Sequence, residues 1–286
     1  MSGVPHIFDG RARRSRRARA ITLTGQSFLA LEAGAGIAER AGAANRSFQK
    51  ALDIGSLDSA FGLLKPLAQG WTRTNYSENE LLDLPPESFD LAVSALSLHA
   101  INDLPGALIQ IRRALKPDGL FVAALFGGET LRELRDAFAA GEEQTTGGAS
   151  PRVSPFADVR DLGGLLQRAG FNLPVADIER TTVRYGEFQT LASDLRAAGE
   201  TNALAERSRK PMRRDTLAAS IAHYAANHAE ADGRLRATFD IVYLTGWTPH
   251  ESQQKPLQPG SARARLADAL GTKEQDAGDV TPKPRN

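Results

Sequence analysis

One segment in the middle of the chain limits the fold more than any other. Two short apolar runs, residues 89–94 and 120–126, flank a stretch with large apolar residues at helical spacing. Asn102-Asp103 is a candidate N-cap of that helix, and Pro105 lies in its first turn. Residues 116–119 (Lys-Pro-Asp-Gly) have the composition of a turn. The segment therefore predicts a strand–helix–strand unit, the building block of a parallel sheet covered by helices.

The same strand and helix signals recur on both sides of this unit. Alternating strands and helices predict an α/β fold with a doubly wound parallel sheet, which binds ligands at the carboxyl ends of its strands. Two helices before the last strand predict a helical insertion at about residues 187–232, packed by Leu217, Ile221 and Tyr224. The predicted strands are 51–55, 175–183 and 239–247, and the predicted helices are 58–67, 159–169, 188–198 and 215–228.

Composition places the chain among ordinary globular proteins. It has 286 residues, of which 41% are apolar and 24% charged, and a formal net charge of +1. The absence of cysteine excludes thiolate catalysis, disulfides, iron–sulfur clusters and zinc sites built on cysteine. No apolar run approaches the ~18 residues of a membrane-spanning helix, and no hydrophobic stretch follows the first charges. We therefore predict neither a membrane span nor a secretory signal peptide.

The two ends of the chain differ in composition from the middle. Residues 1–20 contain six arginines against one acidic residue, Asp9. Three interpretations stay open: a solvated basic helix or disordered arm, a binding site for an anionic partner, or an organelle transit peptide. Residues 251–286 predict a mostly flexible tail with a short helix at 262–270. The predicted organisation is a basic arm, one domain over residues 21–250, and this tail.

Eight short segments carry a resemblance to a known family: residues 7–9, 97–99, 102–105, 115–119, 126–131, 214–216, 246–247 and 250–253. With them the chain resembles the class I S-adenosylmethionine-dependent methyltransferases. Within that family it is most similar to the mitochondrial and alphaproteobacterial complex I assembly factors that hydroxylate an arginine of a complex I subunit. A more distant similarity links it to the methyltransferases that esterify malonyl-acyl carrier protein. The resemblance implies a Rossmann-like methyltransferase fold.

The resemblance also implies a cofactor, S-adenosylmethionine, at the carboxyl end of the first strand. Family members have an acidic residue there, followed by glycines that let the backbone approach the cofactor closely. His99 follows the strand at 89–94, where a general base would meet a substrate, and it is the predicted catalytic residue. The predicted cofactor-binding residues are Asp53, Gly55, Ser56, Glu78, Asn79 and Ser94.

Each of these predictions has a structural alternative. Asp53 then caps the next helix and Gly55 permits a tight turn, as at many strand ends. Glu78 and Asn79 then belong to an exposed loop, and His99 is a buried structural histidine.

The chain departs from the family pattern in two respects. Leu57 and Ser59 stand where the second and third glycines are expected, and we predict that the Leu57 side chain points into the cofactor volume. The 33 residues 56–88 are too few for the two further strands and the crossover of the family. We therefore predict that the second strand is lost, together with the acidic residue that holds the ribose hydroxyls. The alternative is a replacement strand at residues 71–75.

Two further polar clusters follow predicted strands. Residues 127–129 (Gly-Gly-Glu) are either the lip of the site, through exposed amides, or an ordinary strand-to-helix turn. Trp247, His250 and Glu251 are expected to be structural or partner-binding. Because no third ligand at a recognisable spacing accompanies His250 and Glu251, we predict no metal site and identify no iron-binding facial triad.

The resemblance implies a methyltransferase-family protein with a role in assembling respiratory complex I, and the departures from the family pattern predict a degenerate cofactor site. Two alternatives stay open: an active S-adenosylmethionine-dependent methyltransferase acting on a small molecule or protein, and a non-catalytic scaffold that binds a protein partner. The resemblance implies a partner similar to a complex I subunit, and no nucleic acid is expected. The predicted location is the bacterial cytoplasm, with peripheral association with the inner membrane as an alternative and the mitochondrial matrix ranked below both.

Overall fold

A mixed six-stranded sheet lies at the centre of the computed structural model, which describes residues 6–22, 26–253 and 271–272. The strands are β1 (Phe48–Ile54), β2 (Ala68–Thr74), β3 (Phe89–Ala95), β4 (Leu115–Phe126), β5 (Asn172–Tyr185) and β6 (Leu235–Trp247). Their order across the sheet is β2-β1-β3-β4-β6-β5. The consecutive strands β1 and β2, and likewise β3 and β4, pair in parallel and are connected through a helix, as the α/β prediction requires. β1 also pairs in parallel with β3.

Helices cover both faces of this sheet. They are α1 (Gly10–Thr22), α2 (Phe28–Ala43), α3 (Asp58–Leu64), α4 (Leu104–Ala114), α5 (Arg132–Thr146), α6 (Val159–Arg168), α7 (Phe188–Ala197) and α8 (Arg214–His228). Successive strand residues point to opposite faces, so Leu91 and Val93 of β3 pack with α2 and α3. Ala92 packs with α4 and α6 instead. The sheet is therefore doubly wound, as predicted.

The central strand–helix–strand unit is confirmed, with one refinement at its turn. The Asp103 carboxylate caps α4 by accepting a hydrogen bond from the Gly106 backbone N–H at 2.8 Å. Residues 116–119 lie inside β4 rather than before it. The ladder between β3 and β4 jumps from the pair Phe89–Leu115 to the pair Leu91–Leu120. The turn residues therefore form a bulge that β4 accommodates without ending.

The sheet is mixed rather than parallel throughout, because one strand runs in the opposite direction. β6 runs antiparallel to both β4 and β5. The reason lies in the helical insertion: Tyr185 at the end of β5 pairs with Leu235 at the start of β6, so α7 and α8 leave and return at the same end of the sheet. A strand that starts where its predecessor ends must run in the opposite direction.

The predicted insertion is present, but α8 buries a different face from the one predicted. Leu217 and Ile221 are half-buried, whereas Thr216, Ser220 and Tyr224 are fully buried. These three residues face α5 and β6, where the Tyr224 hydroxyl donates to the Arg236 carbonyl oxygen at 2.9 Å. The apolar period of α8 is weak, because small and polar side chains form its packed face.

The predicted loss of the second strand is also wrong. β2 pairs in parallel with β1 along its length, from Phe48–Ala68 to Ile54–Thr74. The connection is short because α3 and a single 3₁₀ turn at Lys65–Leu67 make the whole crossover. The replacement strand that the residue count left open is therefore formed, and among the described residues the sheet ends there.

The residues after this core form a separate unit. Contacts separate residues 1–250 from residues 251–286, and the predicted helix at 262–270 lies outside the described residues. Within the part of the chain that the structure describes, we find no helix that is both long and apolar enough to cross a membrane.

The packing of α5 on α8 yields a stability prediction. A Cβ on Gly141 of α5 would lie 2.7 Å from the backbone nitrogen of Ser220 and 2.9 Å from its Cα, so an added side chain must push the helices apart. We expect Gly141→Ala to lower the free energy of unfolding by about 1–3 kcal/mol, measured by urea denaturation. At Gly164 of α6 nothing else in the described structure comes within 4 Å of the added Cβ. Gly164→Ala should be neutral or stabilising by up to ~1 kcal/mol; equal losses in both variants would contradict the packing.

Candidate functional site

A cleft of about 420 Å³ opens at the carboxyl ends of β1 and β2. In α/β sheets, ligands bind at the carboxyl ends of the strands. Strand ends, the loop that starts α3 and one face of α1 form its walls. The lining residues are Arg14, Arg17, Ala18, Ile21, Asp53, Gly55, Ser56, Leu57, Asp58, Arg73, Thr74 and Asn75.

The charge at the centre of this cleft is Asp53, and Arg73 neutralises it. Asp53 is 1% exposed, and its Oδ2 accepts a hydrogen bond from Arg73 Nε at 3.0 Å. The same guanidinium donates to Asp58 at 2.7 Å and to the Ser56 carbonyl oxygen at 2.9 Å. The Cζ atom of Arg73 lies 4.1 Å from the centre of the Phe61 ring. Burial raises the pKa of Asp53, and its contacts with Ser56 and Arg73 oppose that rise.

Gly55 has a backbone conformation and a close packing that require glycine, as both the cofactor-binding prediction and the tight-turn alternative expect. Its φ is +72°, and an added Cβ would lie 2.3 Å from Ser97 Oγ, so no side chain fits there. Its backbone N–H donates to the Thr74 carbonyl oxygen at 2.9 Å, which ties the ends of β1 and β2 together. Leu57 lines the cleft but is 8% exposed and packs in the apolar core beside α2. Its side chain therefore narrows the cleft at one wall without filling it.

Two arginines of α1 lie across the strand ends and are not solvated. Arg17 donates to the carbonyl oxygens of Leu96, at 2.8 Å, and Gly55. Arg13 donates to the carbonyl oxygen of Ser97 at 2.7 Å. Carbonyl groups past the end of a strand have no ladder partner, so buried ones need another donor. This part of the basic run thus serves as a structural cover of the cleft, unlike the solvated arm that was one of the predicted alternatives.

Other arginines of α1 face a second cavity, of about 580 Å³. Its lining combines side chains from α1, α7 and the segments before α6 and α8. Six of the lining residues are arginines: Arg16, Arg19, Arg152, Arg196, Arg207 and Arg209. Three of these have acidic partners, since Arg152 pairs with Glu142 and both Arg207 and Arg209 pair with Asp9. The cavity keeps an excess of positive charge.

His99 lies in a buried ionic cluster rather than at the cleft wall. Its Nε2 is 3.0 Å from Glu200 Oε2, and its Nδ1 has no hydrogen-bond partner among the described residues. The rings of Phe126 and Phe156 lie 5.0 and 5.7 Å from the imidazole. Burial lowers the pKa of His99, against the opposing effect of Glu200. A neutral imidazole held by a carboxylate is an anchor here, and His99 is not among the residues that line the cleft.

Glu200 is the acidic centre of that cluster. Burial disfavours its charge, yet His99, Arg13 and Arg17 outweigh burial and hold the pKa of Glu200 at about 2. Arg17 approaches the carboxylate at 3.4 Å. Glu200 follows α7, so the cluster joins the helical insertion to α1 and to the end of β3.

The remaining predicted cofactor residues do not line the cleft. Ser94 is fully buried, and its hydroxyl donates to the Ile54 carbonyl oxygen at 2.8 Å, which ties β3 to β1. Glu78 is exposed and pairs with Arg14, and Asn79 is exposed. The neighbouring Glu80 is the structured acid of this loop instead. It accepts hydrogen bonds from the backbone and side chain of Asn102 and from the backbone of Asp103, each at 2.8 Å.

The two other polar clusters have packing roles in the described structure. The Gly127 backbone N–H donates to the Asp240 carbonyl oxygen at 2.8 Å, and a Cβ on Gly127 would lie 2.9 Å from a methyl group of Val242. This segment therefore forms a strand-to-helix turn pressed against β6. Trp247, the last residue of β6, pairs with Leu120 of β4, near the end of the sheet opposite the cleft.

Known proteins resemble this chain in both sequence and fold. A family model described as a methyltransferase domain matches residues 31–123. The chain is 38% identical over 287 residues to the arginine-hydroxylase NDUFAF5, mitochondrial, of Danio rerio, covering 92% of this chain and 89% of that protein. The human protein of the same name is 39% identical over 281 residues, covering 90% and 81%. The chain belongs to the NDUFAF5 arginine-hydroxylase family.

More distant similarities agree with this NDUFAF5-family assignment. A malonyl-[acyl-carrier protein] O-methyltransferase of Laribacter hongkongensis is 35% identical over 243 residues, covering 80% of this chain and 79% of that protein. The solved structure of YcgJ from Bacillus subtilis superposes with a TM-score of 0.50 at 13% identity, covering 75% of this chain and 98% of that one. That structural likeness shows the methyltransferase fold and nothing finer.

The Glu200 cluster predicts a pH-dependent stability. Glu200 contributes stability above its ordinary pKa of 4.5, and that contribution is lost as the pH falls toward 2. Glu200→Gln should therefore cost roughly 3–5 kcal/mol of unfolding free energy at pH 7 and progressively less between pH 4.5 and 2, in urea denaturation at several pH values. Glu39→Gln, an exposed change, should have little effect at any pH. A Glu200→Gln deficit that stays constant with pH would contradict this account.

Proposed function

We propose that this chain acts in assembling respiratory complex I, as its family resemblance implies, with a cofactor cleft that its own side chains close to S-adenosylmethionine. One observation carries the second part. The Arg73 guanidinium bonds Asp53, Asp58 and the Ser56 carbonyl oxygen at the tip of β1. That is the place where the family pattern puts the cofactor. The protein is thus a candidate pseudoenzyme with respect to methyl transfer.

Electrostatics supports this proposal. S-adenosylmethionine carries a positive sulfonium, and the cleft already contains Arg14, Arg17 and Arg73. Only Asp53 and Asp58 among the lining residues oppose them, and Arg73 bonds both. The cofactor also carries an ammonium and a carboxylate, so its net charge is +1. To reach Asp53 it would have to displace Arg73, and only its carboxylate could face the other two arginines without repulsion in a partly desolvated site.

An active methyltransferase is the second candidate, and the size of the cleft favours it. A volume of about 420 Å³ falls within the ~300–1,000 Å³ typical of small-molecule sites. Thr74 and Asn75 line the cleft at the end of β2 and offer hydroxyl and amide groups to a ribose. Arg73 is 39% exposed and would leave Asp53 in this case. Methyl transfer would then rest on proximity and orientation at Asp53 and Gly55, with His99 kept as a structural anchor.

Calorimetry separates these two candidates. We expect no heat when the wild type is titrated with S-adenosylmethionine or S-adenosylhomocysteine up to ~1 mM. A dissociation constant of that size corresponds to a binding free energy of only ~4 kcal/mol. Arg73→Ala removes the competing cation and frees Asp53, so we expect micromolar binding, ~8 kcal/mol, in that variant. Arg73→Ala combined with Leu57→Gly should bind more tightly still, because the wall of the cleft recedes.

The matched control is Arg160→Ala, which removes an exposed arginine from α6. It should behave as the wild type. Micromolar binding by the wild type would contradict the closed cleft and support the active enzyme. Binding by neither the wild type nor Arg73→Ala would show that Arg73 is not the residue that closes the site.

The arginine-lined cavity supports a protein partner with an acidic surface. Arg16 and Arg19 enter it from α1, and Arg196 enters it from α7. Opposite charges across an interface speed association and fix its register. We infer that an acidic segment of a complex I subunit-like partner docks there, and we keep the bacterial cytoplasm, at the inner-membrane surface during assembly, as the proposed location.

Complementation tests the assembly role. In a strain that lacks its own copy of this protein, the wild-type chain should restore the NADH:quinone oxidoreductase activity of isolated membranes. Arg73→Ala should restore it to the extent that the variant stays folded, checked by its thermal unfolding midpoint, since the role requires no cofactor. Arg16→Glu with Arg19→Glu should restore much less, because it reverses charge in the cavity, whereas Arg160→Glu should not differ from the wild type. Normal activity in the deletion strain would contradict the assembly role itself.

A further inference from the structure

Two histidines of α8 and one aspartate of α5 converge on the surface of the helical insertion. His223 Nε2 lies 2.9 Å from Asp136 Oδ2, and His228 Nε2 lies 2.7 Å from the same oxygen. Each residue offers one ligand atom, and the three atoms lie within 4.8 Å of one another. None of the three residues lines the cofactor cleft or the arginine-lined cavity.

The helices hold these side chains in a defined frame. α5 and α8 pack closely, with Gly141 against Ser220 and a hydrogen bond of 2.7 Å between the hydroxyls of Thr145 and Thr216. The His228 ring lies edge-on to the buried ring of Tyr224, with 5.8 Å between their centres. The positions of the two imidazoles therefore depend on helix packing as well as on their bonds to the aspartate.

We propose that Asp136, His223 and His228 bind a divalent transition-metal ion, Zn²⁺ in the first instance. Two imidazole nitrogens and one carboxylate oxygen are a ligand set that zinc accepts, with a water molecule in the fourth position. The site would tie the end of α8 to α5 and so stabilise the insertion. It depends on neither the closed cleft nor the assembly role.

The geometry needs only a small adjustment to receive the ion. Tetrahedral zinc with bonds of ~2.0–2.1 Å holds its ligand atoms roughly 3.4 Å apart, so each nitrogen–oxygen contact must open by about 0.6 Å. Asp136 is 54% exposed and His223 is 32% exposed, so both side chains have room to move and the ion has a path from solvent. Each imidazole would bind the ion through Nε2 as the tautomer that carries its proton on Nδ1.

The ligand types also predict selectivity. Magnesium and calcium prefer sites made of oxygen ligands, and this cluster supplies one carboxylate. Imidazole suits zinc, copper, nickel and iron. The site should therefore bind Zn²⁺ and Co²⁺ and should not respond to Mg²⁺.

Metal titration of the untagged full chain tests the proposal. We expect Zn²⁺ to bind one equivalent with micromolar affinity by calorimetry and to raise the thermal unfolding midpoint. We expect Co²⁺ to give the visible absorption bands of a four-coordinate site, and Mg²⁺ to have no effect in either assay. His223→Gln, His228→Gln and Asp136→Asn should each weaken Zn²⁺ binding at least 10-fold. His6→Gln removes an exposed imidazole elsewhere and should change the affinity less than 2-fold.

A second measurement on the wild type keeps the test valid if a variant fails to fold. Zn²⁺ should slow the modification of His223 and His228 by diethyl pyrocarbonate, read by mass spectrometry, and should leave His6 unprotected. Absence of Zn²⁺ binding, binding that survives all three substitutions, or equal protection of His6 would overturn the proposal. The cluster would then be a pair of histidine–aspartate contacts and nothing more.

Discussion

The contact between Asp53 and Arg73 determines the structure of the cleft at the carboxyl ends of β1 and β2. A carboxylate that is 1% exposed must have a partner, because an unpaired buried charge costs several kcal/mol. Asp53 and Arg73 are paired neighbours on the parallel strands β1 and β2, so strand register alone brings the guanidinium to the carboxylate. Arg73 then also binds Asp58 and the Ser56 carbonyl oxygen, which fixes the loop into α3. One cation thus organises the segment that the family pattern devotes to a cofactor.

A second set of charges extends this organisation across the neighbouring strand ends. Arg17 joins the carbonyl oxygens of Gly55 and Leu96 and approaches Glu200, which also binds His99. α1, β1, β3 and the segment after α7 meet there through ionised groups that are largely buried. Such clusters are costly when one member is removed, so they favour a single arrangement of the elements they join. The cover over the cleft is therefore part of the folded domain, consistent with a scaffold role.

Most of the fold could be predicted from the chain, because period and turn chemistry are local signals. The unit around α4 and the insertion helices are examples. The direction of β6 could not be, since it depends on where the insertion returns to the sheet. The site could be predicted from the sequence only in part. Asp53 and Gly55 follow from a motif, whereas the role of Arg73 depends on the register of β2, and the pairing of Asp136 with His223 depends on contacts 87 residues apart. Residue spacing carries no information on such contacts.

We propose that Arg73 occupies the place of the cofactor, and a crystal structure tests this proposal most directly. Crystals of the wild-type chain would be grown with saturating S-adenosylhomocysteine. We expect the Arg73 guanidinium still to bond Asp53 and Asp58 in these crystals, and the cleft to contain no electron density for a nucleoside. A nucleoside bound at the end of β1, with Arg73 turned away from Asp53, would contradict it.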